Sequence, residues 1–466
     1  MKRLTFKLLE SRPLLYNFNE MELNVLNSYN IYAIPVGEYF GLNSQACFLV
    51  YSPLANIFYL SLPDDVMKLE KTIQTGQSTD LLDKLLDQSA FKDFGNNEVS
   101  TDSFCTLHLL LNEKCNFHCK YCYSAEGRSS AELNMEQIKT TLGYFLSSER
   151  GAVKDRTVMF MGGGEPVLSW NLLEEATLYA EDLAKEQNLK VHFSLTTNGS
   201  IMTDKMLDFM KEHNFTVQIS FEILPDVQNA QRGSYDAVAT NLARLTEKGI
   251  NNYVRSTITE LNVERIPEMV EHCHNHFPLV KKMSCQQVVD SSYFTNKEKV
   301  NDFFNKYFVS YRAAEEKANE YGITLRSSSS HLLNYSKRER FCYNLLCLTP
   351  YGTLTMCPDV SSPNERDYDS SVIGKLENDR VKFDQAAFAR LSNGSIHTIE
   401  KCRTCYARWN CGSGCPSSRR VYSTEIFDAI CDHYRKMLCH SLIVALAQKH
   451  FNATGRDFYE DIKSKL

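Results

Sequence analysis

Short apolar segments of strand length alternate with amphipathic segments of helical length through the middle of the chain. The apolar segments lie at 105–111, 157–161, 190–196, 216–221, 253–258 and 279–289. Between them, segments such as 171–186 and 204–212 carry apolar residues spaced three and four apart, the period of a helix with one buried face. Parallel strands need crossover helices, so six such βα units in series predict an α/β protein with a parallel sheet.

A sheet of six units either stays open or curls toward a barrel, and in a barrel the chemistry lies at the C-terminal ends of the strands. The first hundred residues have a different pattern. Three strand-like segments lie at 30–36, 46–51 and 57–61, and two short helix-like segments follow at 64–74 and 79–89. We therefore predict four regions: a small α+β domain at 1–100, the βα region at 101–330, a cysteine-rich region at 331–440 and a C-terminal helical tail at 441–466.

The composition excludes several classes of protein. Of the 466 residues, 43% are hydrophobic and 23% are charged, which is typical of a folded chain of about two to four domains. The net charge of −6 provides no general positive field for nucleic acid or an anionic membrane. The segment MKRLTFKLLESRP interrupts its apolar residues with charges, and no run approaches the roughly 18 apolar residues of a membrane helix. We expect a cytoplasmic protein without nucleic-acid or membrane partners.

Sixteen cysteines in such a chain indicate metal or cluster ligation, because cytosolic reductants keep thiols reduced. Three of them follow the first predicted strand closely, and eight lie in the last third of the chain. The other five are scattered and read as small apolar core residues: Cys47, Cys105, Cys273, Cys285 and Cys439.

The first motif follows the first predicted strand. Cys115, Cys119 and Cys122 have the pattern C-x3-C-x2-C, with no fourth cysteine inside the motif. Three thiolates at this spacing can hold three irons of a four-iron four-sulfur cluster and leave one iron open to an outside ligand. The alternative is a zinc knuckle with His118 or His108 as its fourth ligand.

A glycine-rich turn follows the second predicted strand. Its consecutive glycines, Gly162, Gly163 and Gly164, permit close backbone approach to a ligand, and Glu165 can pair with an ammonium group. Alone the turn is a weak signal, since it contains neither G-x-G-x-x-G nor G-K-[ST] and so predicts no nucleotide-phosphate site.

Together the two motifs resemble those of the radical SAM superfamily, over about residues 104–325. The resemblance implies a partial (β/α)6 TIM barrel in which the three cysteines ligate a 4Fe–4S cluster that binds S-adenosylmethionine (SAM) through its open iron. It also implies the residues that hold SAM: Gly163, Gly164 and Glu165 at the amino group, the Tyr121 backbone beside the adenine, Asn198 in the Thr-Asn-Gly segment that ends the third strand, and Ser220 and Arg232 at the carboxylate and ribose.

One position departs from this pattern. Glu222 stands where the family usually has Asp in Ser-x-Asp, so the family roles transfer to Ser220 and Arg232 better than to Glu222. An arginine suits a carboxylate because its planar donors can bind both oxygens. The alternative for Arg232 is a solvated surface charge.

The cysteines of the last third resemble the SPASM domain of radical SAM enzymes. Two sets of four thiolates can hold two further clusters with every iron ligated, and structural zinc is the alternative. By the family's crossed pattern, the first auxiliary cluster takes Cys342, Cys347, Cys357 and Cys415, and the second takes Cys402, Cys405, Cys411 and Cys431.

The resemblance is to the branch with peptide maturases and anaerobic sulfatase maturases. It implies an oxidoreductase with three 4Fe–4S clusters that cleaves SAM reductively to a 5′-deoxyadenosyl radical. That radical would abstract hydrogen from a residue of a ribosomally made precursor peptide and lead to a thioether or carbon cross-link. The implied partners are the precursor with its leader and an electron donor such as flavodoxin or ferredoxin. Residues 1–100 would recognise the leader or cap the barrel.

Two other functions remain open. A formylglycine-forming sulfatase maturase usually starts almost at the cluster motif and has Asp immediately after the third SPASM cysteine. Here Pro358 follows Cys357, and Asp359 is displaced by one residue, which turns an extended side chain to the other face. A noncatalytic cluster protein for electron transfer or sensing is disfavoured by the open-iron motif and the matching SAM residues.

Overall fold

The N-terminal part of the chain is a three-stranded antiparallel sheet with helices on one face in the computed structural model, which describes residues 24–89, 100–151, 153–330, 337–342 and 344–464. Its elements are α1 (Asn24–Ser28), β1 (Tyr32–Pro35), β2 (Phe48–Ser52), β3 (Ile57–Ser61), α2 (Pro63–Gln74) and α3 (Asp80–Leu86). Successive side chains of β2 face opposite ways, so Phe48 and Val50 pack against the three helices and Leu49 and Tyr51 face the C-terminal region. The predicted start of this domain, residues 1–23, lies outside the described residues.

The βα region alternates as its sequence predicts. Its elements are β4 (Thr106–Leu110), α4 (Met135–Phe145), β5 (Asp155–Met161), α5 (Trp170–Glu186), β6 (Lys190–Thr197), α6 (Asp204–Glu212), β7 (Thr216–Ser220), α7 (Pro225–Gln231), α8 (Tyr235–Glu247), β8 (Asn251–Ile258), α9 (Ile266–His276), β9 (Lys282–Gln287), α10 (Lys297–Tyr321) and β10 (Thr324–Arg326). Strands β4 to β10 are parallel and adjacent in chain order. All six predicted strands are present, and the short β10 is an additional one.

Local sequence explains how these elements form. A capping box starts α4, because the Asn134 side chain accepts a hydrogen bond from Gln137 N while the Gln137 side chain accepts one from Asn134 N. Apolar side chains of the strands, such as Leu109 and Phe160, fill the core that the helices cover. Because parallel strands deliver their C-terminal ends to one edge, the loops after β4, β5, β6, β7 and β8 meet there.

The C-terminal third extends the same sheet. Its elements are β11 (Leu345–Leu348), β12 (Thr353–Thr355), α11 (Tyr368–Ser371), β13 (Val372–Glu377), β14 (Arg380–Phe383), α12 (Gln385–Ser392), α13 (Arg408–Cys411), α14 (Pro416–Val421), α15 (Thr424–Thr454) and α16 (Phe458–Lys463). β11 pairs in parallel with β4, and β12, β13 and β14 continue antiparallel. The described strands form an open eleven-stranded sheet, since β11 rather than β10 lies beside β4. This arrangement confirms the predicted α/β class with an incomplete barrel.

The long helix α15 joins the C-terminal region to the N-terminal sheet. Leu438, Leu442, Ile443 and Ala447 lie on one apolar face and pack in a common core with β1 and β2. The helix is continuous from Thr424 to Thr454. The domain boundary that the sequence analysis places at residue 440 therefore falls inside a helix. None of the helices in the described part of the chain is long and apolar enough to cross a lipid bilayer.

Candidate cofactor site

The three cysteines of the first motif lie in the loop that follows β4. Each is partly buried, and Arg128 Nη2 lies 3.2 Å from Cys122 Sγ. Burial raises the pKa of the Cys119 thiol, the neighbouring Cys122 and Cys115 add to the increase, and Arg232 opposes it. The fold therefore brings three thiols and two arginines into one neighbourhood at the C-terminal edge of the sheet.

Gly163 and Gly164 pack directly against this cysteine loop. A Cβ atom on Gly163 would overlap the Glu113 side chain, and one on Gly164 would overlap the Lys114 backbone. Gly164 N also donates to Asn112 O at 2.9 Å. Glycine is therefore required at both positions by the contact between the turn and the loop, whether or not a ligand binds there.

Glu165 connects the ends of β5 and β6. Its buried carboxylate accepts hydrogen bonds from Thr197 Oγ1 at 2.7 Å, Asn198 N at 2.7 Å and Val167 N at 3.3 Å. Burial raises the pKa of Glu165, and these hydrogen bonds oppose the increase. Asn198 Nδ2 in turn donates to Asn116 Oδ1 at 2.8 Å in the cysteine loop. A carboxylate has about four acceptor positions, so these three hydrogen bonds leave one position unused.

Glu222 lies at the centre of a second hydrogen-bond network at this edge of the sheet. Its carboxylate is fully buried and accepts hydrogen bonds from the Tyr121 hydroxyl, the Ser256 hydroxyl and, at 3.0 Å, from Thr257 N. Burial raises the pKa of Glu222, and the Arg232 charge opposes the increase. Glu222 therefore ties the ends of β7 and β8 to the cysteine loop through the Tyr121 side chain.

Arg232 belongs to the same network. Its Nη1 donates to the Tyr121 hydroxyl at 2.8 Å and lies 4.0 Å from Glu222 Oε1. The Arg232 side chain is 9% exposed, which excludes the solvated-surface alternative. Its Nε is buried and has no hydrogen-bond partner within the described residues. Ser220, the last residue of β7, is partly buried two positions before Glu222.

Replacing Glu222 with Gln is expected to lower the free energy of unfolding by about 3 to 5 kcal/mol, because it leaves the buried Arg232 charge without its carboxylate. Urea unfolding of anaerobically prepared protein measures this change. Glu212→Gln at the exposed end of α6 is the matched control and should change stability by less than about 0.5 kcal/mol. Equal stability of the two variants would show that Arg232 does not depend on Glu222.

The eight C-terminal cysteines divide into two groups by their mutual charge interactions. In the first group, burial raises the pKa of Cys342 to about 12, and Cys415 adds to the increase. Burial also raises the pKa of Cys347 and of Cys357, where Cys342 and Cys415 respectively contribute. Each of these thiols thus has another member of its own group as a neighbour.

The second group has the same character. Burial raises the pKa of Cys402 to about 11 and those of Cys411 and Cys431 to about 12, and Cys405 contributes to all three increases. Cys405 N also donates to Cys402 O at 3.2 Å. Each of these three thiols therefore has Cys405 as a neighbour, and the division of the eight cysteines into two ligand sets stays an expectation from the SPASM resemblance.

The donor atoms of these groups suit iron–sulfur clusters. Each group offers only sulfur, the ligand that such clusters take. Among the side chains that the structure describes, no three His, Cys, Asp or Glu lie close enough together to hold a single metal ion. His108 is buried within the sheet, with Nδ1 2.9 Å from Met161 Sδ.

Two residues of the site, Glu222 and Arg128, are more prominent in the structure than the sequence indicates. Glu222 received less weight than Ser220 because it departs from the family's Asp, yet it is the centre of the hydrogen-bond network. Arg128 is not among the residues that the motifs predict, and its only signal in the sequence is its position six residues after Cys122.

Comparison with protein-family models matches residues 109–273 to the radical SAM superfamily. Among curated proteins, the radical SAM cyclopropyl synthase TigE of Paramaledivibacter caminithermalis is 27% identical over 34% of this chain. That match covers 36% of the relative's length, little more than a third.

Two solved structures share the fold. anSMEcpe with bound AdoMet superposes with a TM-score of 0.56 at 16% identity, over 73% of this chain and 98% of that chain. SuiB of Streptococcus suis bound to precursor peptide SuiA superposes with a TM-score of 0.51 at 12% identity, over 85% of this chain and 97% of that chain. The α/β fold with its large, mainly parallel sheet is common to all three proteins, and residues 109–273 of this chain are similar to the radical SAM superfamily.

Proposed function

We propose that this protein is a radical SAM enzyme with a SPASM-type C-terminal region that modifies a ribosomally made precursor peptide. One observation carries the proposal. Three thiols share a loop with Tyr121, and that loop packs against a glycine turn and against a buried arginine whose Nε has no partner in the described structure. An open-iron cluster and an amino acid ligand with a carboxylate would use these groups together.

Each residue has a role that follows from its placement. Cys115, Cys119 and Cys122 would ligate the first cluster, and the Arg232 guanidinium would bind the SAM carboxylate. The remaining acceptor position of Glu165 would bind the SAM amino group, assisted by the Gly163 and Gly164 backbone, while Asn198 and Ser220 line the same edge. When bound, the cluster and SAM supply the reductive cleavage that yields a 5′-deoxyadenosyl radical. The two C-terminal groups of cysteines would hold the two auxiliary clusters.

A peptide substrate is supported by the fold comparison and by the N-terminal sheet. The solved SuiB structure contains a precursor peptide, and it covers 85% of this chain. In the present chain, β3 pairs only with β2 among the described strands, and all five of its residues are partly exposed. A leader segment could add to this edge as a fourth strand through backbone hydrogen bonds.

The experiment that tests this proposal supplies reconstituted enzyme with dithionite, SAM and one of two peptides under anaerobic conditions. With a small Cys-rich or Gly-rich precursor peptide chosen from the neighbouring genes, we expect 5′-deoxyadenosine and a peptide that has lost two hydrogens for each cross-link. With a leaderless sulfatase-derived peptide, we expect no change in peptide mass. Aldehyde formation in the sulfatase peptide alone would establish the sulfatase-maturase function instead, and intact enzyme that forms no 5′-deoxyadenosine would contradict both functions.

Replacing Arg232 with Ala is expected to weaken SAM binding by about 1.5 to 3 kcal/mol, the usual effect of losing a hydrogen bond to a charged group. Equilibrium binding of SAM to the anaerobic protein measures the change, and the bound iron should stay constant. Arg244→Ala on α8 is a control outside the site, where the guanidinium pairs with Asp204. Unchanged SAM affinity in Arg232→Ala would remove Arg232 from the binding site.

A further inference from the structure

Glu113 is a buried carboxylate that makes no hydrogen bond within the part of the chain that the structure describes. It lies between β4 and Cys115 along the chain, its side chain is fully buried, and neither Oε1 nor Oε2 has a partner among these residues. By contrast, the buried carboxylates of Glu165 and Glu222 each accept three hydrogen bonds. Removing a carboxylate from water without supplying donors is unfavourable, so Glu113 indicates a binding position for a donor.

The unpartnered oxygens lie against the two glycines of the turn. A Cβ atom on Gly163 would overlap Glu113 Oε2, and one on Gly164 would overlap Asn112 Oδ1, which also has no partner within the described residues. The Asn112 amide is held with this oxygen toward the turn, because its Nδ2 donates to Ser169 Oγ at 2.6 Å. Three acceptor oxygens therefore lie beside the turn without a hydrogen bond from the described residues.

The C-terminal region encloses the turn from another side. A Cβ atom on Gly163 would also overlap Ser361 Oγ, so the segment around Ser361 packs against the turn. Glu365 fixes this segment, because its carboxylate accepts hydrogen bonds from Ser361 N at 2.7 Å and from Ser362 N at 3.2 Å. The region is therefore enclosed, and Ser361 and Ser362 are both fully buried in it.

Two neighbouring groups act favourably on the Glu113 carboxylate but do not replace a partner. Burial raises the pKa of Glu113 to about 7 and Glu365 adds to the increase, while the Ser361 hydroxyl and the Arg128 charge oppose it. Arg128 already has a contact of its own, because its Nη2 lies 3.2 Å from Cys122 Sγ. The carboxylate therefore still needs a hydrogen-bond donor, which an amino group provides and a carboxylate or phosphate group does not.

We propose that the Glu113 carboxylate and the Asn112 side-chain oxygen bind the amino group of SAM. Glu165 has one unused acceptor position, whereas an amino group carries more than one N–H donor, so Glu113 adds acceptors that Glu165 does not have. Glu113 is two positions before Cys115, so these acceptors belong to the same loop as the proposed cluster ligands. The inference deepens the proposed function and rests on it, because that function supplies SAM.

The test compares equilibrium binding of SAM with that of the analogue in which hydrogen replaces the amino group. Both ligands are added without peptide to the full-length, anaerobically reconstituted protein. In Glu113→Gln we expect the preference for SAM over the analogue to fall about 10- to 100-fold, the usual effect of losing a hydrogen bond to a charged group. The bound iron and the affinity for the analogue should stay the same. Glu113→Asp keeps the charge and should retain part of the preference.

Stability without SAM separates ligand binding from a structural role. Because Glu113 has no hydrogen bond to lose within the described residues, Glu113→Gln should unfold at the same urea concentration as the unaltered protein or at a higher one. Glu126→Gln changes an exposed carboxylate of the cysteine loop and should alter neither the stability nor the preference for SAM.

A preference for SAM that is unchanged in Glu113→Gln would overturn the inference and leave the proposed function intact. That result would assign the donor at Glu113 to water or to the peptide, and a lower stability with it would make Glu113 a structural residue. Unaltered protein that holds its iron but binds no SAM would overturn both the inference and the proposed function.

Discussion

Replacing Cys115, Cys119 and Cys122 together with Ala is expected to abolish SAM cleavage and to remove about a third of the iron, four of about twelve irons in three clusters. Of the three proposed cysteine sets, only this one has three thiols, so its cluster would leave one iron open to SAM. Each C-terminal group has four thiols, enough to ligate every iron of its cluster. Iron and sulfide analysis measures the first effect, and chromatography of 5′-deoxyadenosine measures the second.

The control for this triple replacement is Cys273→Ala. Cys273 is fully buried in the hydrophobic core on α9, away from every cysteine group, so its removal should retain all iron and all SAM cleavage. SAM cleavage that survives the triple replacement would assign the SAM site to another cysteine group. Stoichiometric zinc with little iron in the unaltered protein would contradict the auxiliary clusters.

The elements of the sheet were predictable because each strand is defined by its own short apolar segment. The six apolar segments place the strands to within three residues of their observed bounds, as for β6 at Lys190–Thr197. The first cysteine motif is also visible in a short stretch of sequence, because Cys115, Cys119 and Cys122 lie close together along the chain. The α/β class and the candidate cofactor residues could therefore be proposed before the structure.

Contacts between distant segments could not be predicted in this way. β11 lies beside β4, with Leu345 opposite Thr106, although the local pattern of neither strand specifies the other as its partner. Tyr121 and Glu222 are 101 positions apart and share a hydrogen bond. From sequence, Glu222 is only a departure from the expected Asp. Its longer side chain reaches the Tyr121 hydroxyl, and the sequence does not show that these two residues are close in space.

The largest difference between expectation and structure concerns the face of the N-terminal sheet that points away from α1, α2 and α3. From sequence, the first hundred residues are either a leader-recognition element or a cap on the barrel. In the structure, Tyr51 and its neighbours on β1 and β2 share a core with α15, and the Tyr51 hydroxyl donates to Asn410 Oδ1 at 2.8 Å. Asn410 directly precedes Cys411, and Cys405 packs against the same core, so the sheet contacts the segment that carries these cysteines.

Deleting residues 1–100 is accordingly expected to unfold the C-terminal region and to release the iron of the second group. The deletion would expose Tyr406, Leu438, Leu442 and Ile443, all of which are now buried. At about 1.5 to 3 kcal/mol for each large apolar side chain, the loss is about 6 to 12 kcal/mol. A loss of that size equals the entire stability of a typical domain, about 5 to 15 kcal/mol.

Urea unfolding and iron analysis of the truncated protein measure this effect, and Tyr51→Phe is the control that keeps the apolar contact. The control removes only the hydroxyl, which donates to Asn410 Oδ1 and accepts from Lys337 Nζ, so it should cost about 2 to 4 kcal/mol for the two lost hydrogen bonds and retain the iron. Loss of peptide turnover in the truncated protein would then say nothing about leader binding, because the second cysteine group would be lost as well. If the truncated protein instead keeps all its iron and unfolds cooperatively, the sheet is a separable element, and the leader-recognition role can be tested by deletion.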